Sequence, residues 1–220
     1  MQHDPAVAPP SQGFDRLEGL IAADGSAPQP ALIRLADPRV AAADLADALH
    51  CLGLLHGQHQ GVMETTLGRT DHPVFREWLN VAHEAFARER DWLVRLISAA
   101  GPLPSTPGQT ASENAIATQR HALIMLAQSD RPGCAGGACI ALALDWLTIR
   151  RLLHAIAQRL YVDLPPSRLP DLRVSRALYD MTAKAPAIER GLLFGAQQLL
   201  AQHRGLWHLV DARACARSAG

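Results

Sequence analysis

"ACIALALDWL", residues 138–147, is the stretch whose reading decides the fold. It is apolar throughout except for Asp145, so a helix built from it has no polar face to turn toward water and must be enclosed by other elements. Helical periodicity continues on both sides. The spacing predicts a helix over roughly 135–161, with Leu142, Trp146, Ile149, Leu153 and Ile156 as its main stripe. A central helix of that length needs long partners.

The rest of the chain supplies them. Periodic apolar stripes predict helices over roughly 41–67, 73–99, 111–128, 172–184 and 187–212. Pro73 fits a first helical position, Gly101-Pro102 ends the helix before it, and Thr110 with Glu113 forms a capping box for the next. Two proline-rich stretches, "GPLPSTPGQ" (101–109) and "DLPPSRLPD" (163–171), join the pieces. No alternating strand and no hairpin turn between such strands is found. The expected fold is all-α: an antiparallel helical bundle of four long helices with additional shorter helices. Residues 1–30, rich in Pro, Gly and Ser around the short apolar piece Phe14–Ala23, are expected to form a flexible N-terminal arm. Residues 31–220 are expected to form a single helical-bundle domain.

Charge excludes some partners. The 21 basic and 21 acidic residues balance, which argues against nucleic acid and anionic lipid. No apolar window is long enough to span a membrane. The N-terminus has neither the basic start nor the apolar core of a signal peptide. Cys51, Cys134, Cys139 and Cys215 form no CxxC pair and read as reduced thiols of a cytoplasmic protein. The chain has no GxSxG, GxGxxG, HExxH or P-loop. "GCAGGAC" (133–139) is glycine-rich at a helix start but lacks the P-loop lysine, and reads as a packing turn of small residues.

Several polar side chains fall where apolar ones belong. In the first long helix His56 and His59 interrupt the stripe of Leu45, Ala48, Leu49, Leu52, Leu55 and Met63. Beside them Gly53, Gly57 and Gly61, four apart, would stack as a ridge that leaves room for a backbone or a ligand. Glu89 sits at the centre of the stripe of the second helix, and Arg120 on the third is its expected partner. Asp145 lies in the central helix and His203 in the middle of the last stripe. An ionised carboxylate on such a face must be paired, hydrogen-bonded, metal-bound or protonated.

Two site readings follow. A ligand-binding set is His56, His59, Glu89, Arg120 and His203, suited to a small acidic ligand. A metal set is His56, His59, Glu89, Asp145 and His203, suited to a single Fe, Mn or Zn ion. The absence of Glu-x-x-His argues against a di-iron centre. The leading expectation is a helical binding protein with an interior polar pocket. One alternative is a structural or interaction module, self-associating into a homo-oligomer, whose His/Glu/Arg network is purely structural. Another is a metal-dependent oxidase-like enzyme.

The run "GPLPSTPGQ" followed by "QRHALIMLAQSDRPGCAGGACIALALDW" (119–146) resembles an uncharacterised alphaproteobacterial helical family with no assigned activity. The resemblance covers roughly residues 40–165. It implies a soluble bacterial helical protein and contributes no catalytic residue. The helix lengths are also similar, in architecture only, to ferritin-like and haem-oxygenase-like bundles.

Overall fold

Helix-starting signals are placed where the chain needs them. Pro30, Pro73 and Pro186 each open a helix, where a missing N–H costs nothing. His72 caps the helix that Pro73 opens, and Asp171 caps another, by accepting from the N–H groups of Phe75 and Val174 respectively. In the computed structural model, which describes residues 12–57 and 61–219, nine helices occur among the described residues. They are α1 (Gln12–Asp24), α2 (Pro30–Leu35), α3 (Ala42–His56), α4 (Val62–Leu67), α5 (Pro73–Ala100), α6 (Gln109–Ala127), α7 (Cys134–Arg159), α8 (Leu172–Thr182) and α9 (Pro186–Ser218). No strand occurs among the described residues, and no helix there is long and apolar enough to cross a membrane.

α7 is the enclosed helix that its composition requires. From Cys134 to Trp146 every residue but Ala135 is buried. Its main partner is α9, and the two touch backbone to backbone. A Cβ at Gly195 would lie 2.7 Å from the Cys134 carbonyl carbon and 3.1 Å from the Ala138 nitrogen. Gly137 meets the Leu192 backbone and Gly191 the Pro132 carbonyl in the same way. The glycine-rich start of α7 is thus half of a small-residue packing surface, and Gly191 and Gly195 complete it.

Side-chain pairs fix the helix directions. His50 reaches the Gly101 carbonyl and His56 packs on Phe86, so α3 runs against α5. Gln109 bonds Arg213 and Gln119 lies on Gly205, so α6 runs against α9. Phe86 meets Trp146 and Glu89 meets Arg150, while Phe75 lies over Gly136, so α5 runs with α7. Gly133 touches Ile188 and Asp145 touches His203, so α7 runs with α9. The helices α3, α5, α6 and α7 alternate in direction, but α9 does not continue the alternation. Antiparallel neighbours follow from short loops; residues 160–185, including α8, separate α7 from α9 and let the chain return before α9 begins.

Four further expectations are corrected. The helix expected over 41–67 stops at His56 and resumes at Val62. Glycine costs about 1 kcal/mol relative to alanine inside a helix, and Gly57 caps α3 while Gly61 caps α4. No continuous ridge of Gly53, Gly57 and Gly61 forms; Gly53 instead faces Ile97 of α5. The capping box at Thr110 and Glu113 is absent because α6 starts at Gln109, with Gly108 at φ 75° before it. The flexible arm expected over 1–30 does not describe residues 12–30. Phe14 and Leu17 are fully buried, and Phe14 packs edge-on against Tyr179. The turn "DGSAPQP" looks like a loop in composition, yet its Ser26 is fully buried against Asp145. Residues 1–11 lie outside the described residues.

One end of the α3–α9 contact is ionic. Asp47 is fully buried beneath Arg213 at 2.7 Å and Arg217 at 2.7 Å, and Arg217 also holds Asp44. The other end of the same contact holds the histidines.

Candidate functional site: a buried carboxylate–imidazole relay

α7 presents Asp145, α9 presents His203 two turns beyond Gly195, and α3 presents its last residue, His56. The glycine contacts that bring α7 and α9 together also fix the distance between the first two. His203 Nδ1 donates to Asp145 Oδ2 at 2.6 Å. Ser26 donates its N–H to Oδ1 at 2.8 Å and its hydroxyl to Oδ2 at 2.6 Å. Trp207 Nε1 donates to Ser26 Oγ at 2.8 Å. Three buried residues, His203 and Ser26 directly and Trp207 through Ser26, therefore satisfy one carboxylate.

Burial alone would raise the Asp145 carboxyl. The hydrogen bond from His203 and the electrostatic pull of its ring, with both Ser26 hydrogen bonds, outweigh it and hold Asp145 below the ordinary carboxylate value. An ionised Asp145 fixes the proton of His203 on Nδ1. The other ring nitrogen, Nε2, lies 3.0 Å from Nε2 of His56. A single proton serves this contact: two would clash and none would leave two lone pairs facing each other. His56 packs edge-on against Trp146 and Phe86. Burial first, then His203, then Arg90, push its pKa well below the ordinary imidazole value. The arrangement can hold a neutral imidazole of fixed orientation at the end of α3, connected through His203 to a buried anion.

At that end lies an incomplete ion pair. Arg90, whose guanidinium lies 5.5 Å over the Phe86 ring, bonds Glu64 Oε1 through Nη2. Arg90 Nη1 and Glu64 Oε2 are buried and lack hydrogen-bond partners among the described residues. Both face Gly61, where a Cβ would stand 3.2 Å from Glu64 Oε2 and 3.5 Å from Arg90 Nη1.

The expected site residues are only partly gathered. His56, His203 and Asp145 converge, with Asp145 on the far side of His203 from His56. Glu89 does not join them. It accepts from Trp146 Nε1 at 3.3 Å and pairs with Arg150 at 3.0 Å, so the Trp146 indole separates it from the imidazoles. Arg120 is half-buried on α6 and is not the partner of Glu89; Arg150, one turn beyond Trp146, takes that place. His59 lies outside the described residues. Among the described residues, no three His, Cys, Asp or Glu are placed to share a metal.

Ser26, Trp207, Glu64 and Arg90 were not anticipated. Arg90 was legible, since it falls one turn after Phe86 on the buried stripe of α5. Ser26 carried no periodic signal at all.

The histidine pair should set the pH dependence of stability. A lowered imidazole pKa means that the unfolded chain binds the proton more readily. His56 therefore contributes stability that is complete above the unfolded value of about 6.5 and is lost as pH falls below it, by at most about 1.4 kcal/mol per pH unit. Asp145, also lowered, adds a separate loss only at pH below about 4. Urea titrations from neutral to mildly acid pH should show this slope, and His56→Gln should flatten it. An unchanged slope in that variant would mean that His56 is not held neutral.

No curated protein matches the chain. A family model described as a family of unknown function (DUF6975) matches residues 21–218. That span is wider than the stretch carrying the sequence resemblance and takes in the whole relay from Ser26 to Trp207. The chain belongs to the DUF6975 family.

Proposed function

We propose that this protein binds a small acidic ligand at the His56 end of the relay. Arg90 Nη1 supplies the cationic contact, Glu64 Oε2 accepts from a hydroxyl or amide of the same ligand, and His56 offers a neutral ring. The observation that carries this reading is the pair of buried atoms on Arg90 and Glu64 that have no partner among the described residues. A buried polar atom without a partner costs about 1–3 kcal/mol, and a ligand bearing one acceptor and one donor removes both costs at once. A hydroxy acid such as malate has that pattern. A cytoplasmic setting suits the chain, whose Cys51, Cys134 and Cys139 are buried and free.

A divalent metal is the competing occupant, because two imidazole Nε2 atoms 3.0 Å apart with a carboxylate on the far nitrogen of one is a ligand-like arrangement. Charge favours the acid: the Arg90 guanidinium already opposes positive charge at His56. Calorimetric titration of the full chain with malate and succinate, alongside elemental analysis, tests this. Malate should bind more tightly than succinate, and Arg90→Lys should weaken it by about tenfold or more, since lysine cannot reproduce a guanidinium fork. Stoichiometric zinc, manganese or iron that is lost in His56→Ala would replace the acid with a metal. No binding of either kind, with His56→Ala only less stable, would leave a structural network.

A further inference from the structure

A second charged site lies on the other side of Trp146, on the outer face of α5. There the proline-rich segment after α7 stands off the helix and leaves a cleft of about 320 Å³. Arg88, Trp92 and Arg95 fall on one face of α5 by their spacing of four and three, and Arg168 faces them from the segment. The Arg95 guanidinium lies 4.4 Å from the centre of the Trp92 ring. Glu89 lines the floor but is already held by Arg150.

The charge of the cleft is only partly compensated. Arg34, Arg69, Arg176, Arg213 and Arg217 all pair with carboxylates. Among the described residues Arg88, Arg95 and Arg168 form no ion pair. Asp91 is the one lining carboxylate not already engaged. In a chain of zero net charge, three unpaired guanidinia converge on one concave surface. Planar guanidinium forks match the oxygens of tetrahedral oxyanions, and a phosphoryl group can meet three of them where a carboxylate has only two oxygens to share. Trp92 and Pro165 add apolar wall. The volume lies at the lower end of the range for small-molecule sites.

We infer that this cleft binds a small organic phosphate, its phosphoryl group held by Arg88, Arg95 and Arg168 and its organic part lying along Trp92 and Pro165. The inference is independent of the acid site at Arg90.

The test uses the full chain and three probes: phenyl phosphate, inorganic phosphate and benzoate, titrated calorimetrically at low salt. Phenyl phosphate should bind most tightly, about tenfold or more better than benzoate, which shares the ring but not the tetrahedral dianion. Arg88→Ala and Arg168→Ala should each weaken it by about fivefold or more, and added salt should weaken it further. Both residues are exposed, so circular dichroism should be unchanged, and Arg90→Lys should leave this binding intact. Absence of phenyl phosphate binding at millimolar concentration, equal binding of benzoate, or full binding by the Arg88→Ala/Arg168→Ala double variant would each overturn the inference.

Discussion

Gly195→Ala is expected to lower the unfolding free energy by about 3 kcal/mol, although alanine is the better helix former by about 1 kcal/mol. The opposing effect is steric. The new methyl group would stand 2.7 Å from the Cys134 carbonyl carbon, and backbone cannot move aside as a side chain can. α9 must shift away from α7, and every contact between the two loosens with it. The distance between Asp145 and His203, set across the same interface, should lengthen too. Gly19→Ala is the control. Gly19 is exposed on α1 with nothing near its Cβ position, so that substitution should be neutral or stabilising by up to about 1 kcal/mol. Urea denaturation of both variants measures the contrast. If Gly195→Ala matched Gly19→Ala in sign, the close approach of α7 and α9 would be wrong.

This interface also shows what the sequence could and could not disclose. The apolar run around Asp145 identified α7 as enclosed, because amphipathic period and its absence are properties of one helix alone. The bounds of α5, α7 and α8 followed for the same reason, with Pro73 and Pro186 as punctuation. Direction and partner choice are not local. The parallel course of α7 and α9 depends on the return through residues 160–185 and on glycines at 137, 191 and 195 that fit one another only in three dimensions. The break after His56 was half legible, since Gly57 and Gly61 flank it, but the apolar stripe resumes at Val62 and Met63 and disguised the interruption. Among the site residues, His56, Asp145 and His203 stood out as polar groups on buried faces and do meet. Glu89 stood out equally, and its partner is Arg150 rather than Arg120. Burial can be inferred from periodicity, but which of two arginines lies opposite depends on helix order. Ser26 was invisible, since a serine between glycine and alanine in a turn looks like any loop residue until the carboxylate it binds is placed beside it.

Asp145→Ala should be the most damaging single change in the relay, with an expected loss of about 4 kcal/mol, because it strands several buried donors that each cost about 1–3 kcal/mol unpaired. The Ser26 N–H, the Ser26 hydroxyl and His203 Nδ1–H all lose their acceptor. Asp145→Asn separates charge from shape. Asparagine keeps the volume but replaces one acceptor oxygen with an NH₂, so it cannot serve all three donors. If the NH₂ faces His203, that ring must accept at Nδ1 and move its proton to Nε2. His203 then donates to His56 rather than accepting from it, and His56 must carry its own proton on Nδ1. Nitrogen-15 NMR of the two imidazoles distinguishes these tautomers directly. The expected result is a reversed tautomer at both rings in Asp145→Asn, with a stability loss of about 2 kcal/mol, smaller than that of the alanine variant. A double-mutant cycle with Ser26→Ala should give strong coupling, since both substitutions break the same chain of bonds. Asp145→Ala within about 1 kcal/mol of the wild type, or imidazole tautomers unchanged in Asp145→Asn, would mean that the carboxylate does not orient His203. The neutral His56 at the end of α3 would then lack the support on which the proposed ligand recognition beside Arg90 depends.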